Sequence, residues 1–467
     1  MVSPKRIAII SGRVIAGALG VGLVGVLAVG LTSVTIPSVS AKAPSVQVHP
    51  TAAAQTRVCT GPLLQPGESG GQATVIGGGS TVVSADSDPS STPLTNSELS
   101  GTDQGSATAL RIPVEGSTTP LIAAAQSQAV GLPELSGFAA SACAEPVADA
   151  WLVAGSTATG RTSLITLANP GTADANVVLE IFGESGRVDA PGADGIIVRA
   201  GSQKVVPLAS LAPGVEKPII HVSTRGGHVL ATLQQSSVRG LTPSGVELVG
   251  PAAAPALTQY IPGVVIPETP AEIEGDDTYD DRATALRLMV PGTVDAQVKI
   301  SFVNESGGTA PMSLDATVPA GEVHEIFLAN LPAGTFGVSV ESDQPVVGGV
   351  RVTASNGSDF AWFTSTVQVG DSARIAIAPG ENPRLHLGNR GDADARVTLT
   401  PADGEPIEVT VPAGGGASVP VTAGAGYVLA GAGDVLASVS YAGPNEFSSF
   451  TVQPASPGSS TVTVYPR

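Results

Sequence analysis

The chain has 467 residues, among them 57 Gly and 38 Pro, and its formal net charge is −18. Only 13% of the residues are charged and 3% aromatic, which excludes a coiled coil or helical bundle and favours short strands joined by turns. The hydrophobic fraction of 42% is sufficient for packed cores. An acidic surface repels phosphate backbones, so we expect no nucleic-acid partner.

Residues 1–43 determine the expected location. Basic residues precede an uncharged apolar stretch at 14–31, which is long enough to cross a hydrocarbon core of about 30 Å as a helix. This order predicts a single-pass membrane anchor with its N-terminus in the cytoplasm. Residues 41–43, Ala-Lys-Ala, also match a cleavage site, so a secretory signal cleaved after Ala43 is the alternative. Both interpretations place residues 44–467 outside the membrane.

Two cysteines, Cys59 and Cys143, are the only ones in the chain. In an oxidising compartment such a pair most simply forms one disulfide bond. Metal binding by two isolated cysteines is not expected, because structural zinc sites use four ligands.

An internal repeat organises the rest of the chain. The segment LANPGTADANVVLEIFGESG at 167–186 recurs as LMVPGTVDAQVKISFVNESG at 288–307, and a third copy begins as LGNRGDADARVTL at 387–399. Each copy is followed by a Val-x-Ala-Gly segment and by further stretches that alternate apolar and polar residues. Alternation of this kind predicts strands with one buried face.

The repeats therefore predict an all-β fold of tandem immunoglobulin-like β-sandwich units that follow an N-terminal transmembrane or signal helix. We expect the three units at 148–250, 256–370 and 371–467. In each unit the last two strands follow one another, for example Gly337–Glu341 with Val346–Thr353 in the second.

Residues 44–147 form a Gly/Ser-rich N-terminal region. Its segment Leu121–Phe138 resembles Leu230–Val246 of the first unit, which indicates a degenerate fourth unit closed by the disulfide. Within it, the stretch 67–106 is rich enough in Gly, Ser, Thr and Asp to suggest partial disorder.

Several of these features together resemble a known family. They are the N-terminal anchor, the Cys59-Thr-Gly-Pro segment, the spacing from Cys143 to Trp151 and the Asn169-Pro-Gly repeat. They are similar to an uncharacterised family of actinobacterial membrane-anchored or secreted envelope proteins with a domain of unknown function. The resemblance implies a place in the cell envelope and no activity, and it transfers no functional residue.

No catalytic residue is predicted. Residues 67–71 match the pattern G-x-S-x-G, but a nucleophile elbow needs a strand, a turn and a helix, so we expect a flexible loop. Of the five histidines, His49 precedes this loop, and His221 and His228 flank a turn where they could face each other across a hairpin. Two imidazoles alone rarely hold zinc. His324 and His386 are expected to face solvent.

An acidic run extends from Glu268 to Asp281. Carboxylates suit Ca²⁺, but a lone acidic run is usually a solvated loop, so no metal or cofactor is predicted.

Three aspartates, Asp174, Asp295 and Asp394, recur just after the repeated turn. We expect each of them to accept hydrogen bonds from turn amides.

Three large aromatic residues, Trp151, Tyr260 and Trp362, lie near the ends of the units. Exposed, they would form platforms on which sugars stack; buried, they would belong to the core or to junctions between units.

The leading functional prediction is a non-enzymatic extracytoplasmic scaffold or interaction module of the envelope, whose partners are envelope proteins. The alternative is a module that binds wall polysaccharide, and a glycan-active enzyme is a third hypothesis. An enzyme of that kind would need two carboxylates about 5–10 Å apart across a cleft.

Overall fold

The computed structural model describes residues 46–48, 52–67, 72–114, 119–268, 281–305, 312–328, 331–443, 446–455 and 462–464. Over these ranges the chain forms strands and two short 3₁₀ turns, Thr102–Gln104 and Leu208–Ser210, and no α-helix. Every pairing between strands is antiparallel. The sequence-based prediction of an all-β fold built from sandwiches is confirmed. No helix within the described ranges is long and apolar enough to cross a membrane.

The N-terminal strands are β1 (Val46–Val48), β2 (Gln55–Cys59), β3 (Leu64–Gln65), β4 (Thr74–Val75), β5 (Ser80–Ala85), β6 (Ser90–Pro93), β7 (Thr108–Ile112), β8 (Ile122–Leu132) and β9 (Leu135–Cys143). Two three-stranded sheets, β2-β7-β6 and β5-β8-β9, face each other, and β3 pairs with β4. The Gly/Ser-rich stretch 67–106 thus contains three strands in its described part.

The first sandwich contains β10 (Asp149–Leu152), β11 (Arg161–Asn169), β12 (Ala175–Gly183), β13 (Gly186–Arg187), β14 (Ile196–Val198), β15 (Ser202–Pro207), β16 (Ile219–Gly226), β17 (Leu230–Arg239) and β18 (Thr242–Val249). One sheet has the order β10-β16-β12-β13, with β14 also on β12, and the other has the order β15-β11-β17-β18. Alternate residues of β12 are buried between the sheets, as a period of two requires.

The second sandwich contains β19 (Ala256–Ile266), β20 (Ala285–Met289), β21 (Ala296–Asn304), β22 (Met312–Val318), β23 (Val323–Phe327), β24 (Gly334–Thr353) and β25 (Phe360–Thr364). The prediction of two separate strands at Gly337–Glu341 and Val346–Thr353 is wrong, because both lie in β24. Its first part pairs with β19 and β21, and its second part pairs with β20 and β25. Pro345, which has no N–H for a ladder, lies where the strand passes between sheets.

The third sandwich contains β26 (Ser372–Ala376), β27 (Arg384–Asn389), β28 (Ala395–Pro401), β29 (Ile407–Val411), β30 (Gly416–Pro420), β31 (Gly426–Ala430), β32 (Val435–Ala442) and β33 (Phe447–Thr451). Its sheets are β26-β31-β28-β29 and β30-β27-β32-β33. The last strand, β34 (Val462–Val464), pairs with β1. Chain contacts assign this pair to a unit of Met1–Pro50 and Thr461–Arg467, separate from Thr51–Ser460.

The repeated turn explains why the sequence motif recurs. Asn169 donates from its amide to the carbonyls of residues 173 and 198 and accepts the N–H of residue 171, and Asn389 makes the same three bonds in the third sandwich. Asp174, Asp295 and Asp394 each accept one backbone N–H, at 2.9–3.0 Å, from the alanine before the recurring glycine. The predicted capping role of the three aspartates is confirmed.

The four sandwiches within Thr51–Ser460 share a strand plan. Each of the first, second and third sandwiches has a four-stranded sheet, here called its inner sheet, that ends in the last strand of that sandwich. This last strand is β18 in the first sandwich, β25 in the second and β33 in the third. In the second sandwich the inner sheet contains the second part of the long strand β24. In the N-terminal sandwich β9 takes this position, and the hairpin β8–β9 corresponds to β17–β18. Strand β9 packs against β18 and β33, and β25 also packs against β18 and β33. The four last strands therefore form a closed ring.

Candidate functional site

A groove of about 670 Å³ lies between the two N-terminal sheets. Strand β5 contributes Ser80, Thr81 and Val83 to its wall, and β6 contributes Ser91 and Pro93. Both strands are at the edges of their sheets. No lining residue within the described part of the chain is charged or aromatic. The groove is therefore an uncharged surface on which hydroxyl, amide and backbone groups alternate with apolar side chains such as Val83 and Leu110.

Two glutamines on β8 fix the floor of the groove. Gln126 accepts the N–H of Gly61 and donates to the carbonyl of the same residue. Gln128 accepts the N–H of Leu63 and donates to the carbonyls of residues 76 and 77. Because both amide groups bond to backbone, they hold the loops on either side of the groove in place.

The predicted disulfide joins Cys59 on β2 to Cys143 on β9, with an S–S distance of 2.04 Å. It links the two N-terminal sheets, and the prediction of this bond is confirmed. Around it lies a small apolar cluster drawn from β7 and β8. Cys59 and Leu110 of this cluster also line the groove, so the disulfide ties the two sheets together beside it.

A buried carboxylate lies where the four last strands meet. Oδ1 of Asp359 accepts the backbone N–H groups of Val246 and Phe360 at 3.3 and 3.0 Å, and Oδ2 accepts those of Phe138 and Phe447 at 2.9 and 3.2 Å. The four donors belong to the four different sandwiches. Burial raises the pKa of Asp359 well above its ordinary value, and the four N–H groups act in the opposite direction. One side chain thus joins all four sandwiches.

A second buried carboxylate, Glu247 on β18, lies near Asp359. It accepts the N–H of Leu248 at 2.9 Å and the hydroxyl of Ser448 at 2.7 Å. Burial raises the pKa of Glu247 well above its ordinary value, and the charge of Asp359 raises it further.

One side-chain arrangement has the geometry of a hydrolase triad. Nε2 of His386 lies 2.8 Å from Oγ of Ser440, and Nδ1 lies 2.7 Å from Oε2 of Glu305. The three residues are buried between the second and third sandwiches, and the backbone of Gly263 packs on the imidazole. The prediction that His386 faces solvent is wrong, because this histidine pairs with a carboxylate across a junction that sequence alone does not show. A substrate has no access to Ser440 Oγ in this arrangement.

Of the remaining described histidines, His221 is partly buried and the other two are exposed. His221 does not face His228; its ring nitrogens contact Oε2 of Glu180 at 2.9 Å and Oδ2 of Asp149 at 2.7 Å, and the ring stacks on Trp151. His228 and His324 are exposed, the latter as predicted. His49 is outside the described residues.

All three of the large aromatic residues singled out in the sequence, Trp151, Tyr260 and Trp362, are buried. Trp151 stacks on His221 within the junction of the first and second sandwiches, and Tyr260 packs against the third sandwich. Trp362 enters the core of the first sandwich, where its indole N–H donates to Gln235 at 2.8 Å. Their burial counts against sugar stacking and agrees with a role in packing between units.

The acidic run is described only at its ends, Glu268 and Asp281. Asp281 receives hydrogen bonds from Arg161 and Arg239 of the first sandwich and lies 3.8 Å from Arg351 of the second. Burial alone would raise the pKa of Asp281, but these three guanidinium groups hold it well below its ordinary value. Its oxygens are therefore engaged by arginines. The other acidic residues of the run lie outside the described residues.

Two further sequence-based predictions fall outside the described ranges: the anchor or signal at 1–43 and all but the first residue of the loop 67–71. In the part of the chain that the structure describes, no three His, Cys, Asp or Glu side chains are placed to hold a metal ion.

Sequence reasoning missed Asp359, Glu247 and Ser440. One signal for Asp359 is positional: it immediately precedes β25, and the residues that precede its bonding partners Phe138 and Val246 are glycines, Gly137 in β9 and Gly245 in β18. A Cβ at either glycine would lie within 3 Å of the Asp359 carboxylate. Only an alignment of the four last strands would have exposed this pattern.

Comparison with curated proteins finds no match. A family model described as a family of unknown function, DUF5719, matches residues 99–423, which is more than half of the chain and includes the ring strands up to β25. The chain belongs to this family of unknown function.

Proposed function

We propose that this chain is a non-enzymatic extracytoplasmic protein of the cell envelope that acts as a scaffold or interaction module. Residues 1–43 anchor it in the membrane in this proposal, with the N-terminus inside, or are removed as a signal. Its partners are other envelope proteins.

The observation that carries the proposal is the rigid joining of the sandwiches by buried polar groups. Arg287 of the second sandwich donates to the carbonyls of Gly155 and Pro218 in the first, and its guanidinium lies 4.6 Å from the centre of the Trp362 ring. Asp359 joins all four last strands. Fixed geometry of this kind suits a protein that presents surfaces at set positions.

The disulfide supports an extracytoplasmic location, because such bonds persist in oxidising compartments and are rare in the cytosol. The net charge of −18 opposes nucleic-acid binding.

The triad-like group at His386 gives little support to a hydrolase, since its serine is buried in a junction. A polysaccharide-binding module loses its main support because Trp151, Tyr260 and Trp362 are buried.

The test is in-cell crosslinking of the full-length tagged protein, followed by recovery and identification of attached molecules. A tagged chain of residues 1–43 alone is the control. Enrichment of particular envelope proteins over this control supports the scaffold. Recovery of polysaccharide without protein would replace it with the binding module, and recovery equal to the control would contradict both.

A further inference from the structure

Among the described residues, two strands that the three sister sandwiches have find no counterpart in the N-terminal sandwich. In the first sandwich β14 pairs with the outer-sheet strand β12, and β15 pairs with the inner-sheet strand β11. Strands β22 and β23 do the same in the second sandwich, and β29 and β30 in the third. The N-terminal counterparts of β12 and β11 are β6 and β5, by their pairing with β7 and β8. Among the described residues, no strand pairs with the other edge of β5 or β6.

The lengths of the connections show the same difference. Between β6 and β7 the chain has only residues 94–107. In the sister sandwiches the corresponding connections are 184–218, 305–333 and 402–425, and each carries the two edge strands. The N-terminal connection is too short to supply both.

The exposure of β5 and β6 agrees with a missing neighbour. All four residues of β6 are exposed, and Val83 of β5 is 39% exposed although it points between the sheets. The equivalent inner strands β20 and β27 are almost fully buried. The other face of β5 packs through Val82 and Ser84 against the third sandwich, where Arg374 contacts Ser84. Strand β5 is thus held in place with an unpaired edge.

We propose that the groove of the N-terminal sandwich binds an extended, uncharged peptide segment of another protein, which adds as a strand to the edge of β5 or β6. An unpaired edge offers N–H and C=O groups in register for such a segment, and the groove offers space for its alternate side chains. The inference deepens the proposed interaction function and rests on it.

The chemistry of the occupant follows from the sister sandwiches and from the groove. In all three sister sandwiches a strand of the same chain occupies this position, so the fold accepts a strand there. The neutral lining excludes a charged side chain, because burying a charge without a partner is costly. Of the three sister inner-edge strands, β30 is uncharged, whereas β15 contains Lys204 and β23 contains Glu325.

The test uses the full chain and two synthetic peptides as probes. The first peptide is residues 414–422 (GGGASVPVT), and the second is residues 320–328 (AGEVHEIFL), which carries two glutamates. Fluorescence anisotropy measures their binding, and hydrogen exchange measures amide protection in β5 and β6. We expect saturable binding of the first peptide, protection of β5 or β6, and binding of the second that is weaker by about tenfold or more.

Two variants locate the site. Val83→Asp places a charge in the groove, and Ile407→Asp is a matched control because Ile407 is 41% exposed on the edge strand β29. Only the first should weaken binding, by about tenfold or more, with both variants melting at the temperature of the wild type. Independently, Ser91→Cys introduces the only free thiol, since both native cysteines are bonded. This thiol should displace 2-thiopyridone from a 414–422 peptide whose added cysteine is activated as a 2-pyridyl disulfide, and so form a mixed disulfide with the peptide, whereas the control Ser313→Cys should not.

Absence of binding by the 414–422 peptide at millimolar concentration would overturn the inference, as would equal weakening by Ile407→Asp. Self-association of the chain that Val83→Asp abolishes would assign the groove to a second copy and would also overturn it. None of these results would change which envelope proteins the in-cell crosslinking experiment recovers. Failure of the groove proposal can therefore be distinguished from failure of the proposed scaffold function.

Discussion

Replacing Asp359 by Asn should destabilise the whole ring of sandwiches. The carboxylate accepts four backbone N–H groups, two on each oxygen. An asparagine amide has one oxygen, so whichever way it is oriented, two of the four donors face its NH₂ group. Each buried donor left without an acceptor costs about 1–3 kcal/mol. The expected loss in the free energy of unfolding is therefore about 2–6 kcal/mol.

The assay is denaturant unfolding of the purified chain of residues 44–467, monitored by intrinsic fluorescence. The control is Asp174→Asn, because Asp174 is exposed and uses a single oxygen that asparagine retains. That variant should stay within about 0.5 kcal/mol of the wild type. If Asp359→Asn were as stable as Asp174→Asn, the assignment of Asp359 as the group that joins the four sandwiches would be refuted.

Three further predictions concern stability. Replacing both Cys59 and Cys143 by Ala should cost roughly 4–5 kcal/mol in unfolding experiments, given a sequence separation of 84 residues; no change would contradict a stabilising role. The pKa of Glu247 is raised in the folded state, so its contribution to stability should fall as the pH rises from about 4.3 through that pKa. Glu247→Gln should therefore reduce the decline of the melting temperature with pH, and an unchanged pH profile would contradict this. Gly263→Ala should lower the melting temperature, because the residue has φ of 75° and a Cβ would overlap His386; a melting temperature equal to the wild type would argue against this tight junction.

Local features of the fold were accessible from sequence because their causes are local. Alternating apolar residues and Pro/Gly turns determine the strands, and Asp174 and Asp295 bond to a turn of their own sandwich, 26 and 25 residues away. The similar segments Leu121–Phe138 and Leu230–Val246 lie in the hairpins β8–β9 and β17–β18. The disulfide followed from there being two cysteines and no others.

The junctions between sandwiches were not accessible, because their partners come from distant parts of the chain. Asp359 bonds to strands up to 221 residues away, and His386 meets Glu305 81 residues away. A histidine on an alternating strand looks solvent-facing until a neighbouring sandwich covers it. The open groove was not predictable for a related reason. It lies where the described part of the N-terminal sandwich has no counterpart of two strands, and only comparison with the three sister sandwiches reveals this difference.

Hydrogen exchange on the intact chain tests whether the four last strands join the sandwiches while the edges of β5 and β6 stay unpaired, because it reports the local stability of each strand. We expect the slowest exchange, near the limit set by global unfolding, at amides of the last strands of the four sandwiches, β9, β18, β25 and β33. Amides of β5 and β6 that point away from their paired neighbours β8 and β7 should exchange orders of magnitude faster. Protection of β5 and β6 equal to that of their counterparts β11 and β12 would show that their edges are already paired and would contradict the account.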